Sequence, residues 1–155
     1  MKRIFLYLLL LAACVSCKQN DWVDWKAQNE AFLLDNKTKP GIQTTATGLQ
    51  YQVLYDGNVY DVRPNTTSTI KVDYTLKLIN GYVIEQSNDV TLSMSTVIDG
   101  FAEGLRKIHV HGDVELYIPW DIGYGKDGSG TEGTISHIPP YSTLLYTVHL
   151  SAVNN

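Results

Sequence analysis

Cysteine is scarce in this 155-residue chain, and both copies, Cys14 and Cys17, fall near its start. With none further along, no disulfide can staple the folded portion. Their C-x-x-C spacing sits at the edge of an apolar leader, not at a helix start after a strand, which argues against thiol redox chemistry. Charge is sparse too: 18% of residues are charged, the net charge is −4, and no basic stripe occurs. Nucleic acid is therefore not an expected partner. The apolar run Ile4 to Ala13 is much shorter than the roughly 20 residues needed to cross a bilayer core. A mean hydropathy of −0.11 also speaks against an integral membrane protein. No internal repeat occurs, and no low-complexity stretch beyond the glycine-rich segment 123–133. A chain this short has room for one domain and little else.

Present instead is an N-terminus with the grammar of export. Lys2 and Arg3 precede the short apolar run, and small residues follow, the layout of a signal peptide. Leu11-Ala12-Ala13-Cys14 resembles the bacterial lipobox. The expectation is a lipoprotein signal over 1–13 and lipidation at Cys14, with Cys17 as the alternative. The residue three places before Cys17 is Cys14, not an aliphatic. That reading anchors the chain to a bacterial membrane, with the outer membrane expected, and leaves its domain outside the cytoplasm.

From Lys18 to Lys39, Trp22, Trp25, Asn29, Phe32 and Leu33 recur at near-helical spacing, with Asn20 or Asp21 available as N-cap. The spacing predicts a short helix ending before Pro40-Gly41. It either packs on the domain or extends as a stalk from the anchor, with a dimerisation segment as a further alternative. Segment 14–47 is accordingly read as an N-terminal stalk or helix and 48–155 as the domain, and a monomer is expected. Alternation then predicts strands at Leu49 to Val53, Ile70 to Leu78, Tyr82 to Glu85, Val90 to Met94, Val114 to Ile118 and Leu144 to Ala152. Asn80-Gly81 predicts a type I′ hairpin turn. Val97 to Ile108 is the one helix-like stretch of the domain, with Asp99 near its start. Six strands and one short helix make an α+β fold, an antiparallel sheet with a helix on one face.

No catalytic set of the nucleophile-and-base kind is present. His109-Val110-His111 would put two imidazoles on one face of a strand, yet no third ligand has suitable spacing; solvent-facing histidines at a strand end are the simpler account. Gly125-Lys126-Asp127 lacks the spacing and the Ser or Thr of a P-loop. Tyr74, Ile84, Phe101, Tyr124 and Tyr146 come from five separate segments, and each taken alone is most simply a core residue.

Five ordered motifs take the reading further. They are Thr45 to Tyr51 (TATGLQY), Ile70 to Tyr74 (IKVDY), Val97 to Leu105 (VIDGFAEGL), Ile118 to Gly125 (IPWDIGYG) and Ile138 to Leu150 (IPPYSTLLYTVHL). In order and spacing they resemble the FKBP-type peptidyl-prolyl isomerases, over about Gly48 to Val153. The resemblance implies an antiparallel half-barrel wrapped around the short helix, with an apolar pocket between them. It implies site roles for Tyr74, Glu85, Ile98, Phe101 and Tyr124, and wall positions for Ile84, Val90, Val97, Ile138 and Tyr146. Of these, the Ile98 backbone N–H and the Tyr124 hydroxyl would bond substrate carbonyls, and Phe101 would take the place of a floor tryptophan. The implied substrates are proline-containing polypeptides, and no cofactor or metal is implied.

Ile84-Glu85-Gln86-Ser87 stands where the family usually has F-D-S-S, the stretch before Val90 holds only Asn88 and Asp89, and no arginine falls there. Two readings follow: a working isomerase of altered efficiency, or a binding or chaperone-like module that kept the fold.

Overall fold

The computed structural model describes residues 17–155, with side chains from Trp22 onward. Cys14 and the signal segment lie outside the described residues. Helix α1 (Cys17–Asn36) leads into six strands: β1 (Gln43–Thr44), β2 (Gln50–Tyr55), β3 (Thr69–Lys77), β4 (Val83–Ser93), β5 (Asp113–Ile118) and β6 (Leu144–Asn154). Helix α2 (Asp99–Leu105) lies between β4 and β5, and a 3₁₀ turn (Trp120–Ile122) follows β5. The strands form one sheet in the order β1-β2-β5-β6-β3-β4, antiparallel at every pairing. The α+β class and the sheet-around-a-helix arrangement expected from the sequence are those found.

Alternation works where one face of a strand is buried. On β5, Val114, Leu116 and Ile118 are fully buried between half-exposed neighbours. Ile70, Val72 and Leu76 of β3 and Leu144, Val148 and Leu150 of β6 join them, as do Leu105 and Ile108 at the end of α2. One continuous apolar cluster thus fills the space between sheet and helix. At ~25 cal/mol per Å² of apolar surface removed from water, this burial is the main term holding the sheet against the helix.

Several local expectations are corrected. The segments Tyr82 to Glu85 and Val90 to Met94 are not separate strands. They run together as β4, which accommodates the change of parity through irregularities against β3. Between the pairs Val72↔Val90 and Tyr74↔Ser87, three steps of β4 face two of β3. The extra residue is taken up near Asp89, which has φ 56° and donates its N–H to Asp73 Oδ1 at 2.6 Å. This is a β-bulge.

The Asn80-Gly81 turn is not type I′, because Gly81 (φ 83°) has positive φ and Asn80 does not. Gly81 N–H donates to Leu78 O and Leu78 N–H to Tyr82 O, both at 2.9 Å. That is a three-residue loop closed by a glycine in the left-handed region. The domain helix covers Asp99–Leu105 and not the full stretch Val97 to Ile108. Asn20 and Asp21 lie within α1, which already starts at Cys17. His109 and His111 sit in the turn before β5, not on a strand. His109 is largely buried and hydrogen-bonds Asp56 (3.1 Å), whose other oxygen meets Arg63 at 3.2 Å. Strand β1 is too short for any alternation to announce it.

Of the two placements open for α1, packing on the domain is the one observed from Trp22 on. Asn29, fully buried, accepts the Thr143 N–H at 2.6 Å and donates to Trp25 O at 2.8 Å. Trp25 Nε1 donates to Ser142 Oγ at 3.0 Å, and Asn36 Nδ2 to Gln50 Oε1 at 3.0 Å. Lys26 lies over the Trp120 and Tyr141 rings. No described helix is long and apolar enough to cross a membrane.

Candidate functional site

The concave face of the sheet and the start of α2 enclose a cavity of about 260 Å³. Its base is three aromatic rings from three elements. Phe101 of α2 meets Tyr146 of β6 edge-on, with centroids 4.9 Å apart, and Tyr74 of β3 lies 5.7 Å from Tyr146 and 6.1 Å from Phe101. Tilted and edge-to-face contacts of this kind are the favoured aromatic geometry. Val97 and Ile98, just before α2, and Leu92, on β4, complete the apolar wall.

Polar groups border the cavity as well. Tyr124 borders the cavity from the loop after the 3₁₀ turn and is more than a third exposed. Thr96 also lines it. The Ile98 N–H precedes the helix, and no described residue accepts from it. Glu85 Oε1 accepts the Tyr74 hydroxyl at 2.6 Å and the Ser87 hydroxyl at 3.0 Å. Burial first, and then the bond to Glu85, push the Tyr74 phenol up to about 12. The Tyr146 phenol is pushed well above its ordinary value, first by burial and then by the Tyr124, Tyr74 and Glu85 groups around it. Both therefore remain neutral hydroxyls at any ordinary pH.

Seven of the ten residues implied by the resemblance meet here: Tyr74, Glu85, Val97, Ile98, Phe101, Tyr124 and Tyr146. Three do not line the cavity. Ile84 lies beside a second irregularity of β4, where Leu76 pairs with Glu85 but Lys77 with Val83. Glu85 takes the cavity side and Ile84 is buried in the core. Val90 stands opposite Val72, just past the Asp89 bulge, and packs on the core. Leu92, one inward position further, borders the cavity in its place. Ile138 is buried under the loop it closes by pairing with Ser129. Leu92, Thr96 and Ser87 were not anticipated. The alternation Val90, Leu92, Met94 contained the signal for Leu92, which it puts on the inward face. Among the described residues no group of three or more His, Cys, Asp or Glu could hold a metal ion.

Comparison with known proteins agrees with this geometry. Residues 60–151 match the model of the FKBP-type peptidyl-prolyl cis-trans isomerases, and residues 15–53 match that of the domain amino-terminal to them. A probable FKBP-type peptidyl-prolyl cis-trans isomerase FkpA of Neisseria meningitidis is 35% identical over 129 residues, 81% of this chain and 45% of that protein. The outer membrane protein MIP of Legionella longbeachae is 34% identical over 132 residues, 83% of this chain and 54% of that one. The chain thus spans about half the length of these curated relatives. Among solved structures, FkpA from Escherichia coli superposes with a TM-score of 0.81 at 30% identity, covering 99% of this chain and 72% of that one. A peptidyl-prolyl isomerase of Pseudomonas syringae gives 0.76 at 26% identity, covering 85% and 95%. With its five motifs folded into one half-barrel around α2 and a family model matched over more than half its length, the chain belongs to the FKBP-type peptidyl-prolyl cis-trans isomerase family.

Proposed function

We propose that this protein is a peptidyl-prolyl cis-trans isomerase that assists the folding of exported proteins. The observation that carries the reading is the cavity floored by the rings of Tyr74, Phe101 and Tyr146 and bordered by the Tyr124 hydroxyl and the Ile98 N–H. The chemical task is modest. An X–Pro bond crosses a barrier of about 18–20 kcal/mol because the twisted amide loses its resonance. Uncatalysed exchange takes tens to hundreds of seconds. No bond breaks, so neither nucleophile nor metal is needed. The twisted amide has less charge separation than the planar one, and an apolar cavity favours it relative to water. The Tyr124 hydroxyl and the Ile98 N–H would hold the flanking carbonyls, and each kcal/mol that they add at the twisted state is worth about fivefold in rate.

The site residues of this reading are Tyr74, Glu85, Ile98, Phe101 and Tyr124, with Val97, Leu92 and Tyr146 forming the wall. The test is exchange spectroscopy on an X–Pro peptide with the chain starting at Lys18. Acceleration over buffer is expected. A rate equal to buffer would leave the binding or chaperone-like module.

Export and anchoring complete the proposal. The leader 1–13, the lipobox ending at Cys14 and the name of one relative as an outer membrane protein support a lipoprotein held on a bacterial membrane. Mass spectrometry of the mature N-terminus is expected to find lipid on Cys14. Lipid on Cys17 would move the anchor, and lipid on neither would remove it.

A further inference from the structure

Glu85 carries the one charge among the residues that line the cavity. Its Oε1 is taken by the Tyr74 and Ser87 hydroxyls, while no described residue donates to Oε2. Neither lysine of β3 pairs with it. Lys71 pairs with Asp89 at 2.7 Å, and Lys77 stands among Glu115, Tyr117 and Thr147. A carboxylate without a cation therefore sits at the mouth of an apolar, aromatic-floored cavity. Low-dielectric walls focus its field into the space that a ligand enters. Two hydroxyls hold the group in place, so a ligand that reaches it need not order it.

An X–Pro substrate brings one side chain nearest the rotating bond, that of the residue before proline. Proline biases this residue toward an extended conformation, so with the ring on the aromatic floor its side chain would leave toward the rim, where the exposed Glu85 stands. We propose that Glu85 makes this cavity select substrates with Lys or Arg immediately before the proline over those with Glu or Asp. The proposal rests on the isomerase reading above and names its substrate class. An ammonium or guanidinium would meet the free Oε2, whereas a second carboxylate would face repulsion with no cation to relieve it.

The test uses the peptides Ala-X-Pro-Phe with X as Ala, Lys or Glu, followed by kcat/KM and, in parallel, by peptide affinity from NMR titration. The Ala peptide reports on the isomerase reading itself, and the Lys-to-Glu ratio reports on selection. Because affinity gives the same ratio without turnover, the two can fail separately. A ratio of about three- to tenfold is expected at low salt, the range of a partly exposed ion pair plus relief of repulsion. It should fall toward one in Glu85→Gln and at about 1 M salt, where the screening length is near 3 Å. Glu85→Lys should invert it. A wild-type ratio of one or less, or a ratio that Glu85→Gln leaves unchanged, would overturn the proposal.

Discussion

Tyr74 shows how one side chain joins floor and margin: its ring packs on Phe101 and Tyr146, and its hydroxyl donates to Glu85. Tyr74→Phe keeps the ring and leaves Glu85 with Ser87 alone. A drop in kcat/KM of about tenfold or less, with an unchanged melting temperature, is the expected outcome by peptide exchange and calorimetry. Phe101 is almost fully buried, so Phe101→Ala would cost about 3–5 kcal/mol of stability and confound its own assay. Phe101→Leu is the informative variant, expected to fold and to lose rate.

The same residues set an alkaline limit. The Tyr74 and Tyr117 phenols are both pushed up to about 12 from 10.0, chiefly by burial and then by the neighbouring carboxylates Glu85 and Glu115. In that interval the unfolded chain has released these protons and the folded chain has not. Their contribution is therefore complete below pH 10 and is lost as pH climbs toward 12. Tyrosinate absorbance should show these phenols ionising late, and chemical denaturation should show stability falling over the same window. Early ionisation of all ten tyrosines would contradict it.

Elements tie the site to the core through close approach. In α2, a methyl group on Gly104 would collide with Leu116 of β5, and one on Gly100 with Ile118. Both leucine and isoleucine are fully buried and have nowhere to retreat. Gly104→Ala should therefore destabilise by about 1–3 kcal/mol in spite of its better helix propensity. It should also lower isomerase rate by lifting Phe101, readable by calorimetry and exchange on the same sample.

The strands facing that helix were legible because one buried face fixes their parity, as at Val114, Leu116 and Ile118. Strand β4 was not. A bulge is a count of two residues against one, and Asn88-Asp89 looks in sequence like an ordinary loop. Ile84 and Val90, wall positions implied by the resemblance, pack on the core beside the irregularities of β4 and do not line the cavity. The turn at Asn80-Gly81 was located correctly but mistyped, since a glycine in the left-handed region serves both hairpin loops. Tyr74, Ile98, Phe101 and Tyr124, read from the motifs, come together around one cavity.

At the scale of the molecule, α1 belongs to the folded body from Trp22 on. Its buried Asn29 and Asn36 answer polar groups of the start of β6 and of β2, contacts more than a hundred residues apart in the first case. Asn29→Ala would strand the Thr143 N–H and is expected to cost about 1–3 kcal/mol. Gln28→Ala, on the exposed face, should cost almost nothing. Removing everything before Gly41 should cost more than the single variant, seen as a lower urea midpoint. Equal midpoints would mean that the helix is carried and not used. Thr143 directly precedes Leu144 and Tyr146, so loosening α1 should also be felt at the cavity wall.

The strand order has a consequence in time. β6, the last of the six strands in chain order, lies in the middle of the sheet between β5 and β3. Without it the sheet is two unconnected pieces, β1-β2-β5 and β3-β4. The half-barrel cannot close before β6 is available, because it is the partner that both pieces share. Folding with such non-local pairings is intrinsically slow. Until β6 docks, each piece presents an unpaired strand edge to whatever surrounds the chain.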